Sequence, residues 1–396
     1  MSRDDEALIM RVTVTRVRHE LAGLGFEKSL GFDCVYEPGA SFGMEGSIVT
    51  IETESGVRGD APGPPSYGSS GLAESRAARY LLGRNALDRE QVWHDLKRAA
   101  RADVMVPPGA YDCALWDLAG KLYDAPVHEL LGGAWRKQLP CYASTFHGDV
   151  NGGLSTPEQY AEFARRCRDD LGYTAFKIHG WIGAPIAQEV ATVLAVREAV
   201  GDDMDLMLDP AGALMTFADV LKLGRACDEA SYFWLEDPFR GGGFSISAHL
   251  LLKERVRTPL LLGEHLRGFE PKADAIRAGA ADFVRAGWFE DGGITGVMKV
   301  AALAEAFGLD VELHGGGLAH RHCMAVLRNS NYFELGLVHP CVAETQLPIY
   351  ADRRWLDLLD SVNERGCLEV PDGPGLGVEI DWNWVDDHTI GVDVFE

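Results

Sequence analysis

The sequence predicts an α/β protein: a modified (β/α)8 TIM-like barrel with an α+β capping domain formed by the N-terminal segment and the C-terminal tail. Three observations predict it. After Leu139, eight short apolar runs alternate with helical stretches, the pattern of parallel strands joined by crossover helices. Three of those runs end on an acid, Asp209 in DLMLDP, Glu236 in FWLEDP and Glu264 in LLLGEH, at spacings of 27 and 28 residues. That spacing is one strand, one helix and two loops of a barrel in which ~250 residues make eight units. A doubly wound open sheet would alternate in the same way, but no glycine-rich phosphate fingerprint follows the first strand.

The elements follow in order. Residues 10–17 (MRVTVTRV) alternate as a strand, and residues 46–59 (GSIVTIETESGVRG) form a hairpin turning at Glu54-Ser55-Gly56. Between them, residues 23–43 are rich in glycine and turn formers. The aromatics Phe26, Phe32, Tyr36 and Phe42 mark this segment as a lid-like loop. From Ala73 to Leu131 apolar residues recur at spacings of three and four, in VWHDLKRAA and AYDCALWDLAGKLYDAPVHELLGG. Pro107-Pro108-Gly109 precedes the second stretch and Gly132-Gly133 closes it. The barrel runs are LPCYAST, AFKIHG, DLMLDP, YFWLEDP, PLLLGEH, ADFVRA, DVELHG and YFELGL, and stretches such as PEQYAEFARRCRDD and AQEVATVLAVREAV lie between them. From Gly366 a strand-like tail (CLEVPDGPGLGVEIDWNWV) rejoins the N-terminal domain. The expected boundaries are 1–138 for the cap, 139–365 for the barrel and 366–396 for the returning segment.

The net charge of −23 argues against nucleic acid and anionic membrane surfaces as partners. A small-molecule carboxylate would need a local positive site, which a bound metal supplies. No run approaches the ~18 consecutive apolar residues of a membrane helix, and the opening MSRDDEALIM has no apolar stretch of the kind a signal peptide carries. The eight cysteines are scattered, with no CxxC pair, and read as reduced core residues of a cytoplasmic protein.

Carboxylates at matching ends of adjacent parallel strands make an oxygen-rich pocket for a hard divalent cation, so Asp209, Glu236 and Glu264 are the expected metal ligands and Mg2+ the expected ion. Lys177 and His179 are two apart on one strand and share its inner face. Lys177 is the expected base, with His179 tuning it. His314 ends a later apolar strand and is the second acid–base candidate. Glu334 is a candidate protonated hydrogen-bond donor to the developing enolate. His147, Trp181, His265, Arg267, Arg321 and His322 fall in apparent loops after strands, the active-site face of a barrel; His147, Trp181, His265 and Arg321 are the substrate-contact candidates.

With these motifs in place, the chain resembles the enolase superfamily in its mandelate racemase-like branch. ALWDLAGKLYDAPVHELLGG, FKIHG, LMLDP, WLEDP, GEH, DGGITGVMKVAALAEAFGL, ELHG and PDGPGLGVEID occur in that family's order over nearly the whole length. Glu264 as third acid, rather than an aspartate, is similar to the racemase-like branch. The resemblance implies one Mg2+ per chain, abstraction of the proton α to a carboxylate, and a homo-oligomer, dimer or octamer. It also exposes departures. The family pairs its seventh-strand histidine with an aspartate at the end of the sixth strand, and that position is Gly287 here. His314 therefore lacks its usual partner, with Glu312, Glu290 and Asp291 as candidate replacements. His179 stands where many relatives carry a lysine, and Asp209-Pro210-Ala211-Gly212 lacks a common asparagine.

The leading expectation is a Mg2+-dependent hydro-lyase that dehydrates a polyhydroxylated sugar acid to a 2-keto acid. A weakened His314 tilts the reading towards elimination, which needs one base and one acid, and away from a racemase or epimerase, which needs two bases. A non-catalytic acid-binding descendant is the third alternative.

Overall fold

The computed structural model describes residues 7–26, 34–63, 72–101, 106–210, 214, 216–239 and 245–396. The chain opens with a long antiparallel hairpin. Strand β1 (Ile9–Phe26) pairs with β2 (Cys34–Thr53), which turns into β3 (Arg58–Pro62). Gly56 closes that turn at φ 82°, donating its N–H to the Thr53 carbonyl. The expected loop is corrected at residues 23–26 and 34–43, which are strand: Leu24 lies opposite Tyr36 and Phe26 opposite Cys34. Gly23 and Gly39, both at φ 80°, interrupt the alternation that would otherwise have announced strands. Residues 27–33, Phe32 among them, and the side chain of Phe26 lie outside the described residues, and the lid reading of that stretch falls there. Tyr36 and Phe42 pack with Leu21, Leu24, Phe146 and Val342, and Tyr36 stacks on His339 at 4.6 Å between centroids. The hairpin therefore leans on the loops that follow two barrel strands.

Helices α1 (Leu72–Leu81), α2 (Arg89–Ala100) and α3 (Gly109–Tyr123) join the sheet in one core, where Val12, Val14 and Ile51 meet Val92, Leu96 and Leu118. The tail was expected to be strand-like, with turns. It also forms a helix, Trp382–His388, whose first turn is capped by the Asp381 carboxylate accepting from Trp384 N–H. Strand Cys367–Glu369 pairs with the first barrel strand, and Thr389–Phe395 pairs with β1.

All eight expected runs form barrel strands: β4 (Gln138–Thr145), β5 (Ala175–His179), β6 (Asp205–Asp209), β7 (Trp234–Glu236), β8 (Leu260–Leu262), β9 (Phe283–Ala286), β10 (Asp310–Leu313) and β11 (Phe333–Val338). They pair in parallel in the order β10-β9-β8-β7-β6-β5-β4-β11. Side-chain oxygens of Thr156, Thr216 and Ser245 cap helices that pack outside them.

Among the described residues no ladder joins β10 to β11. Val311 N–H instead donates to the Asn329 carbonyl at 2.7 Å. The buried Glu312 carboxylate accepts from Asn331 Nδ2 at 2.7 Å and from the Asn331 and Tyr332 N–H groups. Glu312 thus closes the seam, which is why it is not the partner of His314. No described helix is long and apolar enough to cross a membrane.

Candidate active site

Parallel strands rise about 3.3 Å per residue, so residues two apart on one strand occupy layers roughly 6.6 Å apart along the barrel. That rule separates Lys177 from His179. His179 is the last residue of β5 and the register partner of Asp209, the last residue of β6. Lys177 lies one layer deeper and is 1% exposed.

In the upper layer, Asp209, Glu236 and Glu264 each offer an oxygen within 4.8 Å of the others. His179 Nε2 is 3.0 Å from Asp209 Oδ2, while its Nδ1 is 2.6 Å from the Thr145 carbonyl. A carbonyl only accepts, so Nδ1 carries a proton, and Nε2 is the nitrogen turned towards the acid ladder. At the other end of the acid ladder His314 Nε2 is 3.4 Å from Glu264 Oε1. The two imidazoles bracket the three carboxylates.

His314 is not orphaned. Its Nδ1 lies 2.8 Å from Glu290 Oε1, so the expectation of a compromised histidine facing an empty Gly287 is overturned. Burial alone would lower the His314 pKa, but Glu264 and Glu290 outweigh it and push it up to about 10. Burial likewise works against an ionised Glu290, and His314 outweighs it, drawing Glu290 down to about 2.

The lower layer is a buried charge network. Lys177 Nζ lies 2.8 Å from Glu334, 3.0 Å from Glu236 and 3.3 Å from Asp209. Burial disfavours its charge, but Glu236 and Glu334 prevail and hold the ammonium well above its usual range. Two expectations are corrected here. Lys177 as a free-amine base conflicts with its depth and with the carboxylates that hold its proton. Glu334 as a neutral donor conflicts with four donors aimed at its carboxylate: Lys177, Ser144 Oγ at 2.9 Å, Arg285 at 2.9 Å and Gly315 N–H at 2.7 Å. Burial raises the Glu334 pKa, but Arg285, Lys177 and His314 overcome it and depress it well below the carboxylate range.

Arg285, fully buried on β9, also reaches the Tyr142 hydroxyl at 3.1 Å and lies 2.7 Å from Glu236 Oε1 without the alignment of a hydrogen bond. The sequence reading missed it, although an arginine inside the apolar run FVRA was a usable signal. It also missed Asp237, whose backbone takes a left-handed φ of 29° and whose carboxylate accepts from Glu264 N–H at 3.2 Å, setting the third acid in place.

The donor set fits a divalent cation on two counts. It is all oxygen, which suits a hard ion. Four carboxylates, Asp209, Glu236, Glu264 and Glu334, face two permanent cations, Lys177 and Arg285, which leaves an uncompensated charge equal to that of one such ion.

The expected substrate contacts divide. His265, with its side chain 45% exposed, lies at the rim 3.6 Å from Glu264, whereas His147 is buried, its ring edge-on to His179 at 5.4 Å and its Nδ1 3.1 Å from the Gly180 carbonyl. Trp181 is buried, its Nε1 donating to the Asp149 carbonyl at 3.2 Å and its ring edge-on to Tyr160. Arg321 is corrected outright. It lies in helix Leu318–Val326, not a loop, buried against Asp357 at 2.5 Å and the rings of Phe333 and Trp355. His322 in the same helix is buried too, its Nδ1 accepting from His128 N–H. Both are held by packing rather than offered to a ligand.

Comparison with known proteins finds relatives over most of the chain. Residues 159–384 match the enolase C-terminal domain-like family, and residues 44–132 match the mandelate racemase/muconate lactonizing enzyme N-terminal domain. The crystal structure of D-glucarate dehydratase from Agrobacterium tumefaciens complexed with magnesium superposes with a TM-score of 0.84 at 30% identity, covering 98% of this chain and 100% of that one. An L-rhamnonate dehydratase of Saccharopolyspora erythraea is 29% identical over 84% of this chain and 82% of its own. A D-galactarolactone cycloisomerase of Agrobacterium fabrum is 29% identical over 76% and 80%.

Proposed function

The chain belongs to the enolase superfamily, in its mandelate racemase-like branch, and from that premise we propose that it is a Mg2+-dependent dehydratase of a polyhydroxylated sugar acid. The observation that carries the reading is the pair of imidazoles, His179 and His314, at the two ends of the Asp209–Glu236–Glu264 ladder. The relatives that dehydrate sugar acids support the substrate class.

A Mg2+ held by Asp209, Glu236 and Glu264 would supply positive charge against a substrate carboxylate as its α-carbon loses a proton. His179 Nε2 takes that proton, its ring fixed by the Thr145 carbonyl. The electron pair left behind expels the β-hydroxyl, and His314 gives the leaving oxygen a proton, so that water departs. The resulting enol tautomerises to the 2-keto acid. Glu290 stabilises the His314 imidazolium as a carboxylate beside an imidazole does. Each acid–base group contributes about 10²–10⁴-fold. Lys177 and Arg285 hold the acids of the ladder in place from below.

Epimerisation is the second reading, and one observation favours it: both imidazoles have their own orienting acceptor, so either end of the ladder is equipped to move a proton. The non-catalytic reading rested on the empty position at Gly287, and Glu290 removes that ground. A homo-oligomer and a cytoplasmic location accompany the proposal.

The test is incubation with Mg2+ and a panel of aldonic and aldaric acids, read by 2-keto acid formation. Keto acid from at least one of them is the expected result. Deuterium uptake at the α-carbon with no keto acid would transfer the assignment to epimerisation, and neither signal would defeat both.

A further inference from the structure

We infer that Glu290 is the positioning carboxylate of His314, supplied from the loop after β9 into the space that a side chain at Gly287 would fill. The inference rests on the acid–base role of His314 proposed above. Gly287 follows the last residue of β9, and its φ lies outside the left-handed region, so the backbone does not require glycine there. Volume does. A Cβ built on Gly287 would lie 1.9 Å from Glu290 Oε2 and 3.5 Å from His314 Cβ. A side chain at 287 and the Glu290 carboxylate are mutually exclusive occupants of one space beside the imidazole.

The loop is built to turn Glu290 back. Asp291 N–H donates to the Gly287 carbonyl at 2.9 Å, and the Asp291 carboxylate accepts from Gly287 N–H at 2.9 Å and Gly268 N–H at 3.1 Å. Lys272 Nζ, 1% exposed, pairs with that carboxylate at 2.6 Å. Gly268 N–H also donates to the Glu290 carbonyl at 3.2 Å. From the far side, Trp288 N–H donates to His320 Nε2 at 2.9 Å. The loop is therefore clamped on both sides of Glu290, and the carboxylate accepts from His314 Nδ1–H and fixes the orientation of the ring. His314 Nε2 is left facing the acid ladder.

The test moves the carboxylate. Glu290→Ala, Glu290→Gln, Gly287→Ala and the double variant Gly287→Asp/Glu290→Ala are made in the full chain with Mg2+ present. Two readouts are taken: the hydrogen-bonded Nδ1–H resonance of His314 from ¹⁵N-histidine NMR, assigned with His314→Gln, and kcat and KM on whichever acid of the panel the wild type turns over. Glu290→Ala and Glu290→Gln are expected to lose the Nδ1-protonated signature and about 10²–10⁴ of kcat, with KM moving far less. Gly287→Ala is expected to do the same with Glu290 still present, by evicting it. Gly287→Asp/Glu290→Ala is expected to restore the signature and recover at least tenfold in kcat. A merely structural glutamate would not be rescued from position 287. The inference is overturned if the folded Glu290 variants keep the wild-type Nδ1–H signature and kcat, or if the folded double variant restores neither. If the wild type turns over none of the acids, the functional reading fails by itself, and the NMR arm still decides the role of Glu290.

Discussion

Replacing Lys177 with methionine separates a structural cation from a catalytic amine. The ammonium is 1% exposed and lies 2.8, 3.0 and 3.3 Å from Glu334, Glu236 and Asp209. Lys177→Met keeps most of the volume and removes the charge, leaving those carboxylates with Arg285 alone beneath them. Removing one partner of a buried ion pair costs about 3–5 kcal/mol. At roughly 2 cal/mol/K of unfolding entropy per residue, the 396 residues give ~0.8 kcal/mol/K, so the thermal midpoint should fall by about 4–6 °C. The assay is a thermal melt in EDTA and again in excess Mg2+. The Mg2+-induced rise should be larger in the variant than in the wild type, because an added cation then meets two fewer competing interactions with Asp209 and Glu236. A variant that loses turnover but melts within about 1 °C of the wild type would refute this account and return Lys177 to the role of base.

Two further predictions concern ions and pH. Mg2+ at a hundred times its dissociation constant should stabilise the wild type by about 2.7 kcal/mol over the EDTA-treated protein, and Glu264→Gln should shrink that shift; an equal shift in both would remove Glu264 from the metal site. Burial raises the Glu312 pKa to about 7, against the lowering effect of its bonds to Asn331 and Tyr332. The folded state thus holds this proton more tightly than the unfolded chain, so the stability Glu312 contributes is complete below pH 4.5 and is lost as pH rises to about 7. Glu312→Gln lacks that term, so its stability relative to wild type should rise by about 3 kcal/mol between those pH values, measured by urea unfolding; a constant difference would contradict the assignment.

What was legible in the sequence follows from where information is local. An acid closing an apolar strand is visible as a motif, so Asp209, Glu236 and Glu264 and the three strands they close could be read directly. Depth along a strand is harder. Lys177 and His179 share a face and look equivalent as letters, yet one layer of roughly 6.6 Å buries the first and leaves the second at the ladder. The partner of His314 was partly legible: Glu290 stood among three candidates, with nothing in the letters to choose it over Glu312 and Asp291. Gly287 announced that something was missing, but Glu290 reaches the histidine only because Asp291, Lys272 and Gly268 fold the loop back on itself. Arg321 misled because a basic residue in an acidic chain suggests a ligand, whereas burial against Asp357 answers its charge internally. The strands at residues 23–26 and 34–43 were hidden by glycines that bend a ladder without ending it.

The account stands most directly on proton exchange at His179. The measurement is the rate at which a panel acid exchanges its α-hydrogen in D2O with Mg2+, followed by ¹H NMR for the wild type and for His179→Asn. The prediction is a loss of at least about 10² in exchange rate in a variant whose thermal midpoint stays near that of the wild type. Exchange at the wild-type rate in folded His179→Asn would contradict the claim that this imidazole, and not the lysine beneath it, removes the proton.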